Sequence, residues 1–143
     1  MTVRRLLLAA ALVGCASASA GGAEKSSADA VRGEQVYARC LACHALAYDR
    51  VGPRHCGLFG RRAGSVPQFS YSTAMKKSGI VWNEKTLDHF LAKPLKMVPG
   101  SAMTYDGVAD PNDRSDLIAC LERVNETPEC RTPAPLRVPP ALR

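Results

Sequence analysis

The chain has 143 residues, a formal net charge of +6, 46% hydrophobic residues and 22% charged ones. That is room for one domain, and once a terminal leader and a Pro-rich tail are set aside about 100 residues remain, whose own apolar core would be thin. The basic residues are scattered rather than run together, which excludes a nucleic-acid-binding stripe and leaves a mild bias towards an acidic partner surface.

Residues 1–20 have the form of an export signal: Arg4 and Arg5, then an apolar run from Leu6 to Gly14 that is too short to span a bilayer. Two processing sites compete. Ala18-Ser19-Ala20 would release a soluble chain at Gly21, whereas Leu12-Val13-Gly14-Cys15 has the look of a lipoprotein box in which Cys15 is lipidated. The simple signal is slightly favoured. Either way the mature protein is expected in the periplasm, soluble or lipid-anchored, and from residue 21 onwards it carries 17 basic and 13 acidic residues. Residues 21–28 read as a flexible lead.

Asp29 is an N-cap for a helix over Ala30 to Arg39, with Val36 and Tyr37 turned to a core. Gly33 and Tyr37 share a face, and a glycine there lets another helix cross closely. Next comes Cys40-Leu41-Ala42-Cys43-His44, the C-x-x-C-H signature of c-type haem attachment. The spacing suits the chemistry. Two residues between the thiols put both sulfurs on one face of about one helical turn, within reach of two vinyl groups on one porphyrin edge, and His44 follows to offer its imidazole to the iron. A zinc site would want a second Cys/His pair at similar spacing. A redox dithiol would want an alternating strand–helix pattern around it. Neither is visible.

Residues 45–80 are punctuated by Gly52-Pro53, Gly57, Gly60, Gly64 and Pro67 and read mostly as loop. So long a loop is unusual in a small domain unless a large cofactor gives it something to wrap. Asn83 caps a helix over Thr86 to Lys93, ended by Pro94, with Leu87, Phe90 and Leu91 on one face. Pro94 to Asp113 reads as loop. Asp113 or Arg114 opens a last helix whose stripe is Leu117, Ile118, Leu121 and Val124. Everything after Cys130 reads as a disordered Pro-rich tail. The terminal helices read as a pair closing over the haem domain.

Cys56, Cys120 and Cys130 remain. In an oxidising compartment three thiols allow one bridge in three possible pairings, or none. Cys120 reads as a buried free thiol on the last helix, whereas Cys56 in a turn and Cys130 past the helix end are placed to meet, so Cys56–Cys130 is the expected bridge.

Beyond the pentad the chain resembles the class I cytochromes c, from about Gly33 to Val124. Gly52-Pro53-Arg54-His55-Cys56-Gly57-Leu58-Phe59-Gly60-Arg61 is similar to that family's Gly-Pro-x-Leu-x-Gly-x-x-Gly-Arg turn. Phe69-Ser70-Tyr71-Ser72 with Gly79-Ile80-Val81-Trp82 resembles its propionate-side segment, Pro94 through Met103 its methionine loop, and Asp116-Leu117-Ile118-Ala119 its closing helix. The resemblance implies an all-α fold, with the terminal helix pair and loops wrapped around one covalently attached haem, over residues 29–130, followed by the tail at 131–143. It implies one covalent haem c on Cys40 and Cys43, with His44 as proximal ligand. The Pro53 carbonyl would then accept from the other ring nitrogen of His44, Met103 would be the distal ligand, and Arg61, Tyr71 and Trp82 would face the propionates. Met97 is the rival to Met103, and the Pro99-Gly100 turn favours Met103. Met75, His55 and His89 read as packing or surface residues. Phe90 and Met75 stand where the family often has polar Tyr and Asn, which dries the distal side. Ala102 stands where it often has Lys, so the basic docking ring is incomplete.

The implied function is a periplasmic single-electron carrier, not an enzyme. Its partners would be redox proteins of a respiratory or photosynthetic chain or a periplasmic dehydrogenase, with no nucleic acid. Contact with a membrane would run only through a lipid on Cys15 or a partner complex. Two alternatives are a haem subunit tethered to a larger membrane oxidoreductase and, less favoured, a peroxidase-like enzyme, which would need an open iron site.

Overall fold

A computed structural model describes residues 28–131. The export signal with Cys15, the lead as far as residue 27 and the tail from residue 132 lie outside the described residues. Six helices follow in order: α1 (Ala30–Tyr37), α2 (Thr73–Lys77), α3 (Glu84–Ala92), α4 (Pro94–Met97), α5 (Pro111–Asn125) and α6 (Pro128–Arg131). Among the described residues the one extended pairing is an isolated bridge between Arg62 and Val81.

Each helix begins for a local reason. The Asp29 carboxylate accepts from the amides of Val31 and Arg32 and caps α1. Asn83 and Thr86 form a reciprocal capping box that starts α3 at Glu84, two residues before the expected Thr86. The last helix opens at Pro111, not at Asp113 or Arg114, because Asp110 caps it and Pro111 takes the first helical position, where its missing N–H costs nothing. The first helix ends at Tyr37, and the backbone continues as turns through Cys43. Two helical pieces fall in stretches expected to be loop, α2 and α4. The Ser72 hydroxyl caps α2, and Pro94 starts α4 as it ends α3. Arg131, expected in the tail, ends α6.

The main contact is α1 against α5, as the shared face of Gly33 and Tyr37 implied. A Cβ on Gly33 would lie 2.0 Å from the Asp116 carbonyl oxygen and 2.7 Å from Cys120 Cβ, so only glycine permits this approach. Leu117 and Cys120 are fully buried there. Asp116 is also buried. Its carboxylate accepts from the Asp29 amide at 2.6 Å and from Arg32 Nε at 2.8 Å, which locks the start of α1 onto α5. These hydrogen bonds to Arg32 hold the Asp116 carboxyl below its ordinary value despite the opposing effect of burial. Glu34 and Arg123 pair across the exposed edge of the same interface. The core extends through Leu58, Trp82, Leu87, Phe90, Leu91, Val98 and Val108 to the long loops.

Candidate functional site

The turn that follows α1 delivers Cys40, Cys43 and His44 together, since the amides of Cys43 and His44 both donate to the Cys40 carbonyl. Both thiols are unpaired, with Cys40 half-buried and Cys43 exposed. Burial pushes the Cys40 thiol up to about 11, which disfavours the thiolate that a zinc site or a redox dithiol needs. Among the described residues no group of His, Cys, Asp and Glu is arranged to hold a metal ion by itself.

His44 is half-buried, and its Nδ1 donates to the Pro53 carbonyl at 2.7 Å, which leaves Nε2 as the nitrogen with an available lone pair. Burial keeps the ring below its ordinary pKa and so neutral, as a ligand must be. Gly52 makes room for it. A Cβ there would lie 2.3 to 2.7 Å from three atoms of the His44 imidazole. The Gly52 amide donates to the Cys43 carbonyl, so the Gly-Pro turn is bound directly to the thiol turn.

His55, expected as a packing or surface residue, packs on the candidate ligand itself, a contact that the sequence does not show. Its ring stacks on that of His44 with centroids 4.3 Å apart and planes inclined by 19°. The Tyr37 hydroxyl is hydrogen-bonded to His55 Nδ1 at 3.0 Å. Burial and the neighbouring His44 and Arg61 push the His55 imidazole down to about 3, so it is neutral at any physiological pH. The available signal was the substitution of His for Leu in the Gly-Pro-x-Leu turn, but sequence alone does not show where that side chain lands.

Arg61, Tyr71 and Trp82 are gathered on one side of the core. The Trp82 amide donates to the Arg61 carbonyl at 3.0 Å, and the Gly60 amide to the Trp82 carbonyl at 2.8 Å. Trp82 is buried against Phe90. Tyr71 is half-buried with its ring edge-on to Phe69, and burial raises its hydroxyl pKa. The Arg61 guanidinium is already committed in part. Its Nη1 and Nη2 each donate at 2.9 Å to backbone carbonyls, those of Cys56 and Arg54.

Met103 is half-buried and packs on the core, as does Met97 at the end of α4, while Met75 is a fully packed core residue. The Pro99-Gly100 turn has Gly100 at φ 87°, a backbone region that favours glycine. The Ser101 hydroxyl then accepts from the Met103 amide at 3.2 Å. Cys56 and Cys130 are bonded, with Cα atoms 4.8 Å apart across a sequence separation of 74, and Cys120 is free and buried.

These residues fit a covalently held haem. The chain offers two free thiols on one turn, an imidazole oriented through one nitrogen, and a half-buried thioether on a separate loop. Leu46, Phe59, Ala74, Ile80 and Tyr105 are partly buried apolar side chains packed against the core.

No protein-family model matches the chain. The chain is 44% identical over 122 residues to cytochrome c2 of Rhodomicrobium vannielii, covering 83% of this chain and 93% of that one. It is 41% identical over 110 residues to cytochrome c2 of Blastochloris viridis, covering 75% and 87%. It is 43% identical over 98 residues to cytochrome c of Arabidopsis thaliana, covering 66% and 88%. Among solved structures, cytochrome cH from Methylobacterium extorquens superposes with a TM-score of 0.65 at 41% identity, over 66% of this chain and 98% of that one.

Proposed function

The chain belongs to the class I cytochrome c family, and from that premise we propose that it is a periplasmic one-electron carrier whose single haem c is held by Cys40 and Cys43 and ligated by His44 and Met103. Family members are electron carriers rather than enzymes and bear one covalently attached haem c. The haem supplies an iron centre that changes oxidation state by one electron. The protein fixes the environment in which that happens.

The observation that carries the reading is the 2.7 Å hydrogen bond from His44 Nδ1 to the Pro53 carbonyl, within a pentad whose two thiols are both free. It orients the imidazole and raises its basicity as a ligand. Met103 supplies a soft thioether from a loop shaped by Gly100, and His/Met ligation raises the potential. With His44 and Met103 both bound to the iron, no small ligand would have an open place to bind. Tyr71 and Trp82 would hydrogen-bond the propionates, and the guanidinium of Arg61 would offset their charge. The N-terminal segment directs export, either with cleavage after Ala20 or with lipidation at Cys15. The partners are other redox proteins, met by transient docking.

Met103→Ala tests the ligand set. The ferric wild-type protein is expected to be low-spin with a weak far-red sulfur-to-iron band. The variant is expected to lose that band and to bind added imidazole or, when ferrous, carbon monoxide. If Met97→Ala does this and Met103→Ala does not, the distal assignment is wrong. Peroxide turnover by the untreated wild type at the level of a dedicated peroxidase would overturn the carrier reading.

A further inference from the structure

We infer that His55 is a positioning residue for the proximal ligand, its ring held by Tyr37 and laid against the face of His44 so that the plane of the His44 imidazole is fixed. The inference rests on the reading of His44 as the iron ligand.

The need for such a residue follows from geometry. The second side-chain torsion of histidine is broad and roughly two-fold, so rotamer preference alone does not set the ring plane. The Pro53 carbonyl holds Nδ1, and a ligand role holds Nε2. Rotation about the Cβ–Cγ bond is opposed at Nδ1 by one hydrogen bond and would be opposed at Nε2 by one ligand bond, and since each tolerates some tilt, a limited rocking of the ring remains. A flat group stacked on its face opposes that rocking. His55 is such a group, with centroids 4.3 Å apart and planes within 19° of parallel.

His55 is itself braced from every side. Tyr37 Oη lies 3.0 Å from its Nδ1, and Tyr37 is buried in the last turn of α1. Its amide donates to the Ala45 carbonyl at 3.1 Å, and the Cys56 amide to the Leu46 carbonyl at 2.8 Å, so its strand of loop is tied to the residues directly after His44. Arg61 grips the carbonyls on either side of it, those of Arg54 and Cys56. The next residue is bonded through Cys56–Cys130 to α6, and the Leu58 amide donates to Asn125 at the end of α5. The brace therefore connects both terminal helices to the proximal imidazole. An aliphatic side chain at position 55 could fill the space but would present no flat face and no acceptor for Tyr37.

The orientation of a flat axial imidazole sets how unpaired ferric spin spreads over the four quadrants of the ring, and the haem-methyl proton resonances read that spread directly. The experiment is paramagnetic NMR and low-temperature electron paramagnetic resonance on ferric holoprotein, comparing wild type with His55→Leu, His55→Phe and Tyr37→Phe. Loss of the low-spin His/Met signature in the wild type would overturn the ligand assignment and this inference together. With that signature present, only the stack is at issue. His55→Leu is expected to shift the methyl resonances and broaden the g-values, and His55→Phe, which keeps a flat ring, to stay close to wild type. Tyr37→Phe should shift in the same direction as His55→Leu but less. An unchanged pattern in His55→Leu, or an equal shift in His55→Phe, overturns the inference. If His55→Leu does not yield folded holoprotein, Tyr37→Phe decides it, because an unchanged pattern there also overturns it.

Discussion

Gly52 and His44 illustrate how a missing side chain can matter as much as a present one. The imidazole occupies the volume that a Cβ on residue 52 would take. Gly52→Ala must therefore push the ring away from Pro53 or bend the turn that carries both, a form of overpacking that costs about 1–3 kcal/mol. Thermal unfolding of the holoprotein should show the loss, and the far-red band of the ferric form should weaken as the His44 side of the ligand set is displaced. At this scale the sequence was most legible where chemistry is contiguous. The role of the Gly-Pro turn comes only through the family resemblance, whereas the pentad names its own role, because covalent spacing alone brings its groups together. His55 was illegible for the opposite reason. A lone histidine carries no spacing information, and its partners Tyr37 and His44 lie 18 and 11 positions away in sequence. Arg61 was read as a propionate partner, and its visible bonds to the carbonyls of Arg54 and Cys56 depend on a loop shape that no pattern encodes.

Between elements, the α1–α5 contact turns on Asp116. Its carboxylate is held below the ordinary carboxyl range, chiefly by its hydrogen bonds to Arg32. A group whose folded pKa is depressed adds stability above its unfolded pKa and loses it as pH falls through that value towards the folded one. Unfolding free energy should thus decline as pH drops below about 4, and Asp116→Asn should flatten that part of the profile. At neutral pH Asp116→Ala should cost about 2 kcal/mol, the usual worth of a hydrogen bond to a charged group, measured by denaturant unfolding. The close crossing itself could be read from Gly33 with Tyr37 and from the stripe beginning at Leu117. The start of α5 could not be read from that stripe, because its first two turns are polar, although Asp110-Pro111 is a capping pair of known meaning. The five residues of α2 are too few to show a period.

At the level of the whole molecule, the fold is a pair of crossed terminal helices with long loops bound to them by few but specific ties. Cys56–Cys130 is one of the longest in sequence, and its removal in Cys56→Ser/Cys130→Ser should lower stability by about 2–4 kcal/mol, read by chemical unfolding. Leu41, Tyr48 and Val51 are exposed on or just after the thiol turn, and the Arg50 guanidinium donates to the Leu41 carbonyl. Electron exchange with an acidic redox protein should slow as ionic strength rises, measurable by stopped flow, because screening weakens the attraction that speeds encounter. The helix caps and stripes mark the main helices, and the all-α class comes through the family resemblance. The course of the loops comes through neither, since a segment wrapped around a cofactor takes its shape from a partner the amino-acid pattern does not contain.

The bridge has a further consequence for biogenesis. If the haem is attached as proposed, maturation would have to sort five cysteines of the described domain into three fates: Cys40 and Cys43 kept reduced until they form thioethers, Cys56 and Cys130 oxidised to each other, Cys120 left alone inside the helix pair. As the chain crosses into an oxidising compartment N-terminus first, Cys56 would meet the Cys40 and Cys43 thiols before Cys130 arrives, so it is the natural source of wrong pairing. Deleting only Cys130 should leave that competitor in place for good, whereas deleting both should remove it. Cys130→Ser is therefore expected to yield less haem-loaded protein per cell than the double variant, even though both lack the same bridge.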